Sequence, residues 1–287
     1  MPEMPEVESL ARFLTARCVG HAIARVDLAA FSALKTYEPP LSALAGMEIE
    51  SVTRHGKFLD LSAQGLHLVF HLARAGWLRW RDALPETPPR PGKGPLALRV
   101  TLDDSSGFEL TEAGTQRKLA VYVVTDPAQI EHVATLGPDP LAGEFDRELL
   151  AALLRSAGRS QLKGVLKDQR TIAGIGNAYS DEILHAAKLS PFKPANALTD
   201  EELSTLYDAI KRELSEAIVR AEGLAAKDLK GEKKSGLRVH GRAGQPCGVC
   251  GGTIAEVSFA DSALQYCPRC QTGGKLLADR RLSRLLK

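Results

Sequence analysis

Apolar residues follow two rhythms along this chain. From Pro5 to Arg17 they recur at helical spacing, so that Val7, Leu10, Ala11, Leu14 and then Cys18 share one face of a predicted helix. From about Ala22 to Val124 the period shortens to short alternating runs: HAIARVDL, GMEIESVTRH, KFLDLSA, LHLVFHLA, LALRVTL, GFELTE and KLAVYVV. Turn-forming stretches such as TPPRPGKGP separate them. This pattern predicts an antiparallel sandwich or barrel behind a leading helix.

After LGPDPLAGEF, which reads as a linker, the helical rhythm returns. The segments DRELLAALLRSA, QLKGVLKDQ, NAYSDEILHAAK and TDEELSTLYDAIKRELSEAIVRAE predict four helices, the last opened by a Thr199/Glu202 capping box. AAKDLKGEKKSG reads as a polar basic loop, and two short strands follow inside a four-cysteine module. The final segment, TGGKLLADRRLSRLLK, reads as a short basic amphipathic helix. The fold class is therefore α+β, with no internal repeat.

Composition adds little to this picture, but charge changes it. The 287 residues are 44% hydrophobic and 25% charged, enough for two ordinary domains. No run reaches the roughly 18 apolar residues of a membrane helix, and Glu3, Glu6 and Glu8 stand where a secretory signal would be basic. The expectation is a cytoplasmic protein. The net charge of +2 hides an asymmetry: residues 227–287 hold twelve Lys/Arg against five Asp/Glu, leaving the rest net acidic. A basic end suggests an anionic partner; a solvated basic tail is the plain alternative.

Cys247-x2-Cys250, sixteen residues, then Cys267-x2-Cys270 is a zinc-ribbon spacing. Each knuckle points two thiolates at one tetrahedral ion. Four thiolates leave no position for water, so the metal is structural. Two disulfides are the alternative, one that fits poorly in a chain without a secretory signal; chance spacing is the other. A zinc-pinned hairpin is a rigid finger suited to a phosphate backbone, although ribbons also bind proteins or serve only as structure. Cys18, alone on the apolar face of the first helix, reads as a core residue.

Pro2 follows Met1. A small second residue favours removal of Met1, which exposes a secondary amine, and α-amino groups have reference pKa values of about 7.7–8.0. Such an amine forms Schiff bases with electrophilic carbons, and Glu3 and Glu6 lie within reach to move protons. Taken alone, Pro2 is a common second residue, and acidic residues often open helices.

Several motifs decide between these readings: MPEMPEVE at the start, HGKFL at 55–59, HLARAG at 71–76, GIGNAYSDEIL at 174–184, and VHGRAGQPCGVC with YCPRCQ near the end. Together, in this order and spacing, they resemble the Fpg/Nei (formamidopyrimidine-DNA glycosylase/endonuclease VIII) family of DNA glycosylases over Pro2 to Gln271. The resemblance implies an N-terminal helix and β-sandwich over 1–136, and a helix–two-turn–helix domain over 145–236. A zinc finger over 237–271 with one structural zinc follows, then a basic extension over 272–287.

The resemblance also implies a bifunctional glycosylase/AP lyase, a monomer working on double-stranded, nucleoid DNA that contains a damaged base or abasic site. In that reading Pro2 attacks C1′ of a flipped nucleoside, Glu3 is the general acid/base and Glu6 supports it. Lys57 sits against phosphate near the lesion. His71 and Asn177 hold backbone phosphates, and Arg74 and Lys163 complete the DNA-binding set. On residue pattern alone Asn177 reads as an N-cap and Lys57 as a solvated strand lysine.

Three positions depart from the family pattern. Arg74 stands where 8-oxoguanine-type members place a gap-filling Met. TEAGTQRKLA, residues 111–120, lacks the expected Phe, with Arg117 or Lys118 as substitutes. Ser262 aligns with the zinc-hairpin arginine, whose loss removes a charge-assisted contact. AAKDLKGEKKSG is also short for an oxoguanine-capping loop. The chemistry is expected intact and the lesion-reading parts altered. The alternative is a damaged-DNA-binding protein on this fold with mainly abasic-site lyase activity, or none. A zinc-ribbon RNA-binding protein would leave the N-terminus unexplained.

Overall fold

Helix α1 (Met4–Cys18) forms on the predicted stripe, burying Val7, Leu10, Ala11, Leu14 and Cys18. Pro5 occupies its first turn, where a missing N–H costs no helical hydrogen bond. Burial pushes the Cys18 thiol up to about 12, which makes it an inert core residue. The computed structural model describes residues 1–92, 94–114, 116–259 and 262–278. The chain divides into two units, Met1–Leu136 with Ala221–Glu232, and Gly137–Arg220 with Lys233–Lys287.

The first unit contains β1 (Ile23–Leu28), β2 (Ile49–His55), β3 (Phe58–Ala63), β4 (Leu66–His71), β5 (Gly76–Arg81), β6 (Leu96–Leu102), β7 (Gly107–Glu112) and β8 (Ala120–Val124), then the one-turn helix α2 (Glu131–Ala134). Two antiparallel four-stranded sheets result, ordered β1-β6-β7-β5 and β2-β3-β4-β8. Alternating residues of both sheets, among them Ile23, Leu61, Phe70, Val100 and Phe108, close over one core with the apolar face of α1. Arg54 on β2 holds Glu8 of α1 at 2.8 Å, and Thr15 Oγ1 donates to Val52 O at 3.2 Å, which seats α1 on that sheet.

Strand β5 does not follow from the alternation, and the reason is physical. Neighbouring strand residues point to opposite faces, yet Trp77 and Leu78 are both buried. Trp77 is covered by a segment distant in sequence. Its indole N–H donates to Ala226 O at 3.0 Å, and Ala221, Ala226 and Leu229 join the same core. Segment 221–232 therefore packs with the first unit.

The second unit contains α3 (Arg147–Ser156), α4 (Leu162–Lys167), α5 (Asn177–Ala186) and α6 (Asp200–Arg220). Asp146 caps α3 by accepting the N–H of Leu149 at 2.7 Å. The Thr199/Glu202 box opens α6 with reciprocal bonds of 2.9 and 3.2 Å. Helix α7 (Leu229–Gly236) corrects the reading of AAKDLKGEKKSG as a loop. Leu229, buried in the first unit, anchors its start, and Lys230 lies 4.5 Å from the centre of the Trp77 ring.

A hairpin of β9 (Ala255–Ser258) and β10 (Ala263–Tyr266) and the short helix α8 (Pro268–Gln271) complete the cysteine module. Residues 272–278 form turns and coil, with the Leu277 N–H on the Tyr266 hydroxyl. The remainder of the expected C-terminal helix lies outside the described residues. Among the described residues no helix is long and apolar enough to cross a membrane.

Candidate active site

The start of α1 is built as a capping box. Glu3 is the N-cap, and its carboxylate accepts the backbone N–H of Glu6. The Glu6 carboxylate in turn accepts the backbone N–H of Glu3 at 2.8 Å. Both side chains are buried, at 3% and 4% exposure, and so is Pro2, while Met1 is exposed. Two helix donors that would otherwise lack partners are thereby satisfied. Pro2 is left immediately before a rigid turn.

Lys57 sits in the two-residue turn between β2 and β3. Gly56 precedes it with φ of 56°, the first central position a type II′ hairpin turn gives to glycine. Lys57 is buried, so it is not the solvated strand lysine that its sequence context allows.

His71 ends β4 and packs its ring against Phe58 with centroids 4.7 Å apart. The N–H of Ala73 donates to its Nδ1 at 3.2 Å, so the ring proton resides on Nε2. Burial, then the positive charge of Lys57 and His132, hold His71 down to about 4. It is a neutral hydrogen-bond donor at neutral pH.

Arg74 is exposed on the turn that follows. That turn is tight: Ala73 has φ of 51°, and a Cβ on Gly76 would fall 2.1 Å from Leu72 O. Glu112 accepts the N–H groups of Lys118 and Leu119 at 2.8 and 3.1 Å. Arg117 donates to Gly94 O at 3.0 Å.

In the second unit, Asn177 is the first residue of α5, behind an N-cap at Gly176. It is therefore not the cap that its sequence position suggests. Its Nδ2 instead donates to Ala263 O of β10 at 2.8 Å, while its Oδ1 is buried with no hydrogen-bond partner among the described residues.

Lys163, expected among the DNA-binding residues, is turned inward in this structure. It is 5% exposed, and its ammonium donates to Asn177 O, Ser180 Oγ and Asp181 Oδ1 at 3.0, 2.9 and 2.6 Å. Three acceptors match the three donors of an ammonium group. The residue braces the start of α5.

The cysteine sulfurs of Cys247, Cys250, Cys267 and Cys270 lie within 4.8 Å of one another. The Cys250–Cys267 and Cys247–Cys270 separations are 3.4 and 3.9 Å, and no disulfide links them. A tetrahedron with Zn–S bonds of ~2.3 Å has edges of about 3.8 Å, so the donor set fits one structural zinc. The Gly252 N–H lies 3.4 Å from Cys250 Sγ, a donor placed for a thiolate.

Three family models match in succession: the formamidopyrimidine-DNA glycosylase N-terminal domain over residues 1–121, the formamidopyrimidine-DNA glycosylase H2TH domain over 136–228, and a zinc finger found in FPG and IleRS over 244–273. The formamidopyrimidine-DNA glycosylase of Symbiobacterium thermophilum is 36% identical over 284 residues, 94% of this chain and 89% of that one. The chain belongs to the formamidopyrimidine-DNA glycosylase family.

Other relatives agree. An uncharacterized formamidopyrimidine-DNA glycosylase-like protein of Mycobacterium tuberculosis is 59% identical over 152 residues, 53% of this chain and 94% of its own. The Lactococcus lactis glycosylase, solved non-covalently bound to DNA containing an AP site, superposes with a TM-score of 0.81 at 27% identity, covering 94% of this chain and 99% of that one. MutM in complex with carbocyclic 8-oxo-G containing DNA gives 0.82 at 27% identity, covering 94% and 100%.

Membership makes this a DNA-repair glycosylase with a zinc finger. The sequence reading missed the buried polar face of α5. Asp181, Glu182 and His185 are all buried behind Asn177. Their offsets of four, five and eight from Asn177 put them on one helical face, a signal already present in NAYSDEILH.

Proposed function

We propose that this glycosylase excises damaged, oxidised bases from double-stranded DNA and then cuts the abasic site, using the secondary amine of Pro2 once Met1 is removed. The observation that carries the reading is the reciprocal hold of Glu3 and Glu6 directly behind Pro2. A nucleophile needs a fixed approach and a proton-transfer group beside it, and this arrangement supplies both on one rigid turn.

The base first leaves the helical stack. The Pro2 nitrogen attacks C1′, and the glycosidic bond breaks with its electron pair leaving on the base, which takes up the proton the Pro2 nitrogen releases. Glu3 protonates the ring oxygen, the C1′–O bond opens, and an iminium links Pro2 to C1′. That cation acidifies the C2′ proton. Its removal drives β-elimination, which breaks the bond to the 3′ phosphate; the same chemistry on the 5′ side gives δ-elimination. Water then hydrolyses the iminium and returns the amine.

Lys57 and the Nε2–H of His71 receive phosphate oxygens in the first unit, and Asn177 does so in the second. Lys163 acts through Asn177 as a positioning residue. The relatives solved on AP-site and 8-oxo-G DNA support a damaged duplex as the partner. The same reading takes the working form to be a cytoplasmic monomer on nucleoid DNA.

Borohydride trapping on abasic-site DNA tests the proposal. The wild type is expected to form a covalent adduct that is lost in Pro2→Gly or when Met1 is retained; a wild type that does not crosslink overturns the lyase chemistry. Arg74 and Ser262 favour a second reading, a protein that binds damaged DNA with altered or little base excision. A panel of lesion-bearing duplexes separates the two by excision against binding alone.

A further inference from the structure

The geometry points to His185 as a hydrogen-bond donor to the zinc-bound thiolate of Cys247, a contact that fastens the zinc finger to the helix carrying Asn177. His185 lies in the last turn of α5, is 4% exposed, and places Nε2 3.3 Å from Cys247 Sγ. A metal-bound thiolate has no proton and can only accept. The shared hydrogen must therefore sit on Nε2.

Such a donor is needed here. One Zn²⁺ with four thiolates carries a net charge of −2, and two of the four cysteines are buried. Buried charge is costly unless hydrogen bonds compensate it. Backbone N–H groups of the finger itself reach the sulfurs, that of Gly252 on Cys250 and those of Val249 and Cys250 on Cys247. The His185 imidazole reaches Cys247 as well. It comes from α5, outside the finger, and a group of this kind both orients a ligand and sets how firmly the metal is held.

The contact is one end of a continuous seam along α5. Asn177 Nδ2 donates to Ala263 O of the zinc hairpin at 2.8 Å. Asp181 Oδ2 meets His240 Nδ1 at 2.8 Å and accepts the Gln265 N–H at 3.2 Å. Glu182 accepts three successive N–H groups, those of Arg238, Val239 and His240, at 2.8, 2.9 and 2.8 Å. Residues 177, 181, 182 and 185 share one face, so metal retention at Cys247 and the placement of Asn177 are linked through one rigid helix. His185 is thus a positioning residue for the metal site.

The test uses the full chain loaded with metal. Replacing His185→Phe keeps a large ring and removes the donor; His185→Gln keeps an N–H near Nε2. In the zinc form, His185→Phe is expected to lose metal to a competing chelator with about tenfold or more weaker retention, and His185→Gln to recover most of the loss. In the cobalt form, the thiolate-to-cobalt charge-transfer band is expected to move to lower energy in His185→Phe and back in His185→Gln, a shift that loosened packing alone would not produce.

Equal retention and an unmoved band in His185→Phe overturn the proposal. If that variant does not fold, the unmodified chain decides the matter by NMR with NMR-active cadmium in the site. A His185 Nε2–H that shows scalar coupling to the metal supports the bond, and a ring proton found on Nδ1 overturns it.

Discussion

Glu6 holds the backbone N–H of Glu3 at 2.8 Å while Glu3 holds that of Glu6. The two acidic residues behind Pro2 are thus each other's anchors before either takes part in chemistry. A capping box accepts Gln as well as Glu at its third position. Glu6→Ala should therefore cost about 1 kcal/mol of stability and slow formation of the borohydride-trapped adduct. Glu6→Gln should recover most of both in thermal melts and trapping time courses. Equal losses in the two variants would mean that Glu6 acts through its charge and not as a tether.

Lys163 and Asp181 form a buried ion pair, with the Asp181 side chain fully buried and the two atoms 2.6 Å apart. Removing one partner strands the other charge, at a cost of about 3–5 kcal/mol. Lys163→Met should lower the melting temperature sharply. The double variant with Asp181→Asn should regain part of the loss. Recovery with phosphate contacts still weakened in a binding assay would assign Lys163 a direct role on DNA as well.

The depressed His71 titration gives a pH dependence of definite sign. The folded value is about 4 against an ordinary 6.5, so the unfolded chain binds more protons between these values. Stability should be fully present above about pH 6.5 and fall as the pH is lowered toward 4. His71→Gln, which cannot take up the proton, should flatten that part of the curve in urea melts at a series of pH values. An unchanged slope would remove His71 as its source.

Trp77 secures the segment that the sequence presents as a loop. Trp77→Phe deletes the indole N–H on Ala226 O and should cost about 1 kcal/mol, keeping a ring beneath Lys230. Hydrogen exchange should quicken over residues 225–232. Trp77→Ala also opens a cavity and should cost about 3–5 kcal/mol. Unaltered exchange in both variants would show that α7 does not depend on the indole.

Much of the architecture was legible in local pattern. The α1 stripe, the alternating runs of β1–β4 and β6–β8, and the Thr199/Glu202 box express periods and caps that neighbouring residues settle among themselves. The errors fall where a distant partner decides. AAKDLKGEKKSG contains one large apolar residue, Leu229, and too little periodicity to announce a helix. The helix forms against Trp77, whose partner Ala226 is 149 residues away. Likewise β5 breaks the alternation because that same segment covers its second face.

The candidate site divides in the same way. The cysteine spacing by itself determined a four-thiolate metal site, and the motifs around Pro2, Lys57 and Asn177 determined the family, because these are short-range arrangements of residue types. Only the tertiary structure decided what the polar side chains hold. It turned Lys163 inward onto Asp181, made Glu3 and Glu6 mutual caps, and brought His185 to Cys247 across 62 positions. A lysine or histidine has the same donors wherever it lies in a sequence. Burial, which demands that each charge or donor find a partner, selects among those uses, and burial is set by packing between segments far apart in the chain.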